Sequence, residues 1–239
     1  MSEDRKQSVL QHLQELRRRL IKSVIAVAVA SVIAFVFYDW IFYILKLPAE
    51  GINLVYIEMT EMIGTIMKVC LIAGIILAMP YLVFQGIMFA SPALTRKEKK
   101  YVYVILPWVV LMFLGGVAFG YFVLIPPATR FLTSFGSDIA TPEIRVGNYV
   151  AVVARLMLAI GVVFEMPVIT TFLARLGVLK PKWLSDHRRV AIIFAFILAA
   201  IITPTFDPIN QSLVAVPLIV LYEMSIWLAK LVYKRQPAE

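Results

Sequence analysis

The feature that most constrains this chain is a series of long apolar runs, set apart by short clusters of Lys and Arg. A hydrocarbon core about 30 Å thick takes about 20 apolar residues per helix. Six runs approach that length, at 21–43, 63–90, 101–126, 148–173, 190–203 and 211–229. Hydrophobic residues make up 61% of the 239 and charged residues 16%, whereas soluble domains sit near a half and a quarter. The expectation is an all-α, polytopic membrane protein of six transmembrane helices, with 1–239 forming a single integral membrane domain. The fifth run has only about 14 residues, which at 1.5 Å each cover about 21 Å. Proline and Glu223 interrupt the sixth. These last two spans are therefore read as short, with local thinning of the bilayer around them.

The charges set the orientation. If both termini lie inside, 18 of the 23 Lys and Arg fall in inner segments, 3 in outer ones (Lys46, Arg130, Arg145) and 2 within spans (Lys68, Arg155). Basic residues collect on the cytoplasmic side of membrane proteins, so both ends are expected there. The net charge of +8 is spread between the runs rather than gathered in one patch, which argues against nucleic acid and for lipid head groups. The lone Cys70 excludes an internal disulfide. The first run is too long for the core of a cleaved signal peptide. No internal repeat is visible, which weakens an inverted-repeat transporter.

Local signals refine the spans. Pro80 frees the carbonyl of Ile76 and predicts a kink. Gly115, Gly116, Ala118 and Gly120 allow close helix approach in lipid. Pro126-Pro127 is read as the stop of the third span, and Thr129–Phe135 as a short interfacial helix. Glu165 stands about 17 residues into the fourth span, two before Pro167. An ionisable group at that depth is expected to face a cavity, a partner or water, and the proline makes the place a polar notch. Arg155, Lys68 and Glu223 can snorkel toward head groups. Asp207, before Pro208, has the pattern of a helix cap.

Gln11–Lys22 (QHLQELRRRLIK) precedes the first span. Leu13, Leu16 and Leu20 share one helical face. Glu15 lies four residues before Arg19, within ion-pair reach. A second lone acid, Glu98, stands in RKEKK after the second span. Both acids are on the cytoplasmic side, each in a basic setting. Two fixed carboxylates suit guanidinium groups, whose planar fork pairs bidentately. Enzyme signatures are missing: there is no HExxH, GxSxG or phosphate-binding glycine loop, and no second intramembrane carboxylate to partner Glu165. No catalytic residue, cofactor or metal ligand is expected.

Five motifs in order carry a resemblance: HLQELRRRL, FASPALTRKEKK, GYFVLIP, FEMP and TPTFDPINQ. Together they resemble the TatC family, core subunits of the twin-arginine protein translocase. The resemblance implies a concave six-helix bundle with a groove, in the cytoplasmic (inner) membrane. It implies a receptor for the paired-arginine signal peptides of folded proteins. Glu15 and Glu98 match its arginine-recognition positions, with Arg17 and Arg19 in the same amino-terminal motif. Phe89, Pro92 and Leu94 match the first cytoplasmic loop, Gln85 and Glu165 the intramembrane polar groove. Tyr121 and Pro126 match the end of span three, Pro48 the first outer loop and Asp207 the last. Implied partners are TatA- and TatB-type single-span subunits and further copies of the chain, with export driven by the protonmotive force. The rival readings are a proton- or ion-coupled solute transporter using Glu165 as relay, and a bare membrane scaffold.

Overall fold

The computed structural model describes residues 2–49, 54–90, 96–134, 143–203 and 207–233. Helices dominate: α1 (Ser2–Val36), α2 (Tyr38–Lys46), α3 (Glu61–Ala90), α4 (Arg96–Phe119), α5 (Ile125–Ser134), α6 (Val146–Phe164), α7 (Met166–Arg175), α8 (Pro181–Asp186), α9 (Arg188–Ile202) and α10 (Pro208–Val232). Among the described residues, five helical stretches are long and apolar enough to cross a membrane: Gln11–Val36, Glu61–Phe89, Val104–Phe131, Val146–Arg175 and Pro208–Val232. Helix α9 is shorter, with 15 residues, or about 22 Å of rise.

Helices α1 and α3 run antiparallel, with the start of α1 beside the end of α3 (His12 against Phe89). Their closest approach is at Gly74, where an added Cβ would sit 2.7 Å from the Ser31 Cα. Helix α4 crosses α6 in the same manner. At Gly116 a Cβ would lie 2.8 Å from the Phe164 Cβ and 2.9 Å from the Gly161 Cα. The small-residue stretch in α4 does what its sequence predicts at Gly116, whereas Gly115 faces open space. With little hydrophobic drive between helices in lipid, backbone-to-backbone packing of this kind is what holds them. Around these crossings lie buried clusters, one on Tyr121, Tyr149 and Val153, another on Ile160, Ala199 and Leu218.

Several local readings change. The first span does not run unbroken to Tyr43, because the helix is interrupted at Phe37 and restarts as α2. Pro126-Pro127 does not stop the third span. A π-helical turn at Gly120–Leu124 intervenes, and both prolines then sit in the first turn of α5. The Ile125 N–H bonds the Gly120 carbonyl five residues back, and this wider turn carries the helix into the prolines, which have no N–H to donate. Pro80 and Pro107 lie inside helices that continue past them. The fourth span does break where Glu165 and Pro167 stand, between α6 and α7. Gly177, at φ 74°, ends α7 in the left-handed region that glycine enters without strain.

The bundle has two chemically distinct ends. At one, the start of α1 lies beside the end of α3, and the ends of α7 and α10 lie beside α4 from Val104 onward. Arg17, Arg18, Arg19, Lys22, Arg175, Lys180, Lys182, Arg188 and Arg189 belong to this basic end. At the opposite end a two-stranded parallel ladder pairs Leu54 with Ile144 and Val55 with Arg145. There the Arg145 guanidinium reaches Glu61 at 2.9 Å and Glu58 at 3.2 Å.

Candidate functional site

One polar face of α1 points at α3. His12, Glu15 and Arg19 are spaced by three and four and so share a face. Glu15 and Arg19 are half-buried, whereas Leu13, Leu16 and Leu20 are exposed. The leucine face therefore looks outward, as apolar faces do in lipid, and the charged face makes the helix contact.

Arg19 organises this contact. Its Nε donates to Glu15 Oε1 at 2.9 Å, and a second guanidinium nitrogen reaches the same oxygen. The remaining arm, Nη1, donates to Gln85 Oε1 at 3.1 Å. Gln85 is buried, and its amide nitrogen donates to the Tyr81 hydroxyl, one turn back on α3. One turn further on, Phe89 stacks on His12 with ring centroids 4.3 Å apart. Glu15, Arg19, Gln85 and Phe89 thus form one cluster at the basic end. His12 and Tyr81, which complete it, were not singled out in the sequence. Their signal was spacing: each lies one helical turn from a residue that was.

The other expected site residues fall in separate places. Arg17 is exposed on α1. Glu98 is the third residue of α4, where a carboxylate favours the positive end of the helix dipole; its side chain lies outside the described residues, as do Pro92 and Leu94. At the far end, the Tyr121 hydroxyl donates to the Ile44 carbonyl at 2.6 Å, and Tyr149 donates to Leu45 at 2.8 Å. These two tyrosines fasten the end of α2 to the bundle. Pro48 follows in a 3₁₀ turn, its carbonyl 3.5 Å from the Thr129 hydroxyl. That hydroxyl also donates to the Pro126 carbonyl at 2.9 Å. Asp207 caps α10, accepting from the Asn210 backbone N–H at 2.8 Å and from its side-chain amide at 3.1 Å. Glu223 meets Arg188 at 2.9 Å at the basic end.

Glu165 is 2% exposed, and neither carboxylate oxygen has a hydrogen-bond partner. Cavity, partner and water were the expected surroundings; in this chain alone the group is enclosed. A buried carboxylate without donors is a costly arrangement. Arg155 and Lys68, by contrast, are exposed on their helices. Arg145, outside the spans, has its guanidinium pKa pushed up by hydrogen bonds to Glu61 first and Glu58 second. Among the described residues no group of three or more His, Cys, Asp or Glu stands together to hold a metal ion.

Apolar helices of membrane-spanning length and a charge-divided bundle define the class: a multi-pass helical membrane protein. A family model described as Sec-independent protein translocase protein (TatC) matches residues 11–217. The Sec-independent protein translocase protein TatC of Carboxydothermus hydrogenoformans is 38% identical over 236 residues, 98% of this chain and 97% of that one. That of Aquifex aeolicus is 38% identical over 232 residues, 95% of this chain and 96% of that one. A crystal structure described as the twin arginine translocase receptor TatC matches with a TM-score of 0.81 and 39% identity, covering 92% of this chain and 99% of that one. This chain belongs to the TatC family of Sec-independent protein translocase components. The family is one of protein transport, not of catalysis, and its members work as parts of a translocase complex.

Proposed function

We propose that this chain is the signal-peptide receptor of a twin-arginine translocase, with the cluster around Glu15 as one half of its arginine site. The observation that carries the reading is the Glu15 carboxylate itself. It already accepts a guanidinium, Arg19, at the basic end of the bundle. A second guanidinium, from a signal peptide, fits the same chemistry by sharing the carboxylate or displacing Arg19. Glu98, at the start of α4, supplies the second carboxylate. Phe89 at the end of α3, and Pro92 and Leu94 in the sequence between the two acids, complete the site; Arg19 holds the Glu15 carboxylate in place, and Arg17 adds a further basic side chain at that end. Each charge-assisted contact contributes about 1.5–3 kcal/mol.

The orientation follows from charge. The basic end faces the cytoplasm of a cell with this protein in its inner membrane, which puts both termini inside. Helix α9 then counts as a sixth, short span of one integral domain. The apolar part of the signal peptide lies in a groove along the second and fourth spans, past Gln85. Glu165 is the polar anchor for a single-span partner of TatA or TatB type, which gives its unpaired oxygens a donor. Further copies of the chain join the same complex, and the protonmotive force drives export.

Crosslinking of a labelled paired-arginine peptide to the purified protein tests this. Glu15→Ala and Glu98→Ala are expected to cut the yield severely, each alone. Unchanged yields in both variants sink the docking reading.

A further inference from the structure

Helices α4, α7 and α10 leave a cavity of about 430 Å³ between them at the basic end, open on one side. Its walls include Trp108 and Met112 of α4, Val168 of α7, and Met224 and Leu228 of α10, with Arg175 at its end. From Pro167 to Arg175 the α7 wall spans about 12 Å along its axis. We propose that this groove binds a phospholipid with an anionic head group, one acyl chain lying along the apolar wall and the head group meeting Arg175.

Two observations favour that occupant. The first is charge. Arg175 is exposed where the groove reaches the basic end, and Lys180, Lys182 and Arg189, also exposed, follow closely in the chain, against only Asp186. Basic residues at that level attract anionic lipid surfaces. The second is the character of the walls. A partner helix in lipid packs best against small residues that admit its backbone. The lining here holds no glycine or alanine, but Trp, Met, Leu and Val. Methionine side chains adapt to a flexible chain without a fixed register. The one hydroxyl on the wall, Thr171, is already used, donating to the Pro167 carbonyl. The groove offers a coating for a hydrocarbon chain and a cation for a phosphate, which are the two halves of a phospholipid. Nothing in this depends on signal-peptide recognition, and the test uses only the purified chain and lipid.

Trp108 is 60% exposed in the groove and serves as the reporter. A full-length protein with Trp40→Phe, Trp183→Phe and Trp227→Phe is titrated with acyl-chain-brominated phosphatidylglycerol or phosphatidylcholine in mixed micelles. The expected result is half-quenching at an about fivefold lower mole fraction of phosphatidylglycerol, the weight of one basic side chain beside an anionic surface. Arg175→Gln is expected to erase that preference and Arg175→Lys to keep it. Retaining Trp227, off the groove on α10, as the sole tryptophan is expected to show no preference. Equal quenching of Trp108 by both lipids, or the same preference at Trp227, overturns the site. So does an absence of quenching by either lipid, which means that protein fills the groove. Should the triple Phe variant not fold, the wild-type quenching curve minus that of Trp108→Phe gives the same comparison.

Discussion

Two acids carry the chemistry at the scale of single residues, and their surroundings differ. Glu15 has a guanidinium on its carboxylate, whereas Glu165 is enclosed without a donor. An unsatisfied buried group weakens the fold by about 1–3 kcal/mol relative to an apolar group of similar shape. Glu165→Leu is therefore expected to raise the melting temperature of the detergent-purified protein while lowering transport in cells. A melting temperature that falls instead means that the carboxylate has a partner in this chain. Arg19→Gln isolates the other acid. It is expected to weaken the docking of α1 on α3, since the contact to Gln85 goes with the ion pair to Glu15. Hydrogen exchange of the α1 amides around Glu15 should then accelerate, and no change there would contradict the role given to Arg19.

Close backbone contact decides matters at the scale of the helices, and glycine separates the positions sharply. At Gly74 an added methyl group meets the Ser31 backbone, while at Gly115 it meets nothing. Overpacking costs about 1–3 kcal/mol, whereas alanine for glycine in an open helical position gains up to about 1 kcal/mol. Gly74→Ala should thus lower the melting temperature and Gly115→Ala raise it or leave it unchanged; the reverse order would refute the α1–α3 packing described here. Parts of this were legible in the sequence. The Asp207-Pro208 cap, the break at Glu165-Met166-Pro167 and the close approach at Gly116 follow from local chemistry that acts within one turn. What was not legible depends on partners far along the chain. The leucines of α1 marked a real face, but periodicity does not tell a lipid-facing stripe from a packing one. The π-helical turn before Pro126 was equally invisible. It holds Tyr121, whose hydroxyl reaches across to Ile44, 77 residues away. Of the candidate site, the sequence carried Glu15 and Glu165 as acids out of place and Gln85 only through the family resemblance, while Arg19's bridge to Gln85 needed the packed helices.

For the whole molecule, the asymmetry of the two ends is the organising fact. One end gathers the basic residues and the Glu15 cluster. The other is tied by Tyr121, Tyr149 and the Arg145 pairs to Glu58 and Glu61. Those ion pairs are partly open to solvent, so salt screens them. Arg145→Gln is expected to lower the melting temperature in low salt, with the difference shrinking as ionic strength rises; a loss independent of salt would point to packing instead. At the basic end, the proposed contact between Glu15 and an arginine of the signal peptide is the decisive one. A double-mutant cycle measures it most directly, pairing Glu15→Gln in the protein with glutamine for the recognised arginine in the peptide, and reading binding affinity at all four corners. The expected coupling is about 1.5–3 kcal/mol, the worth of a charge-assisted contact. Affinity losses that simply add, leaving no coupling, would contradict it.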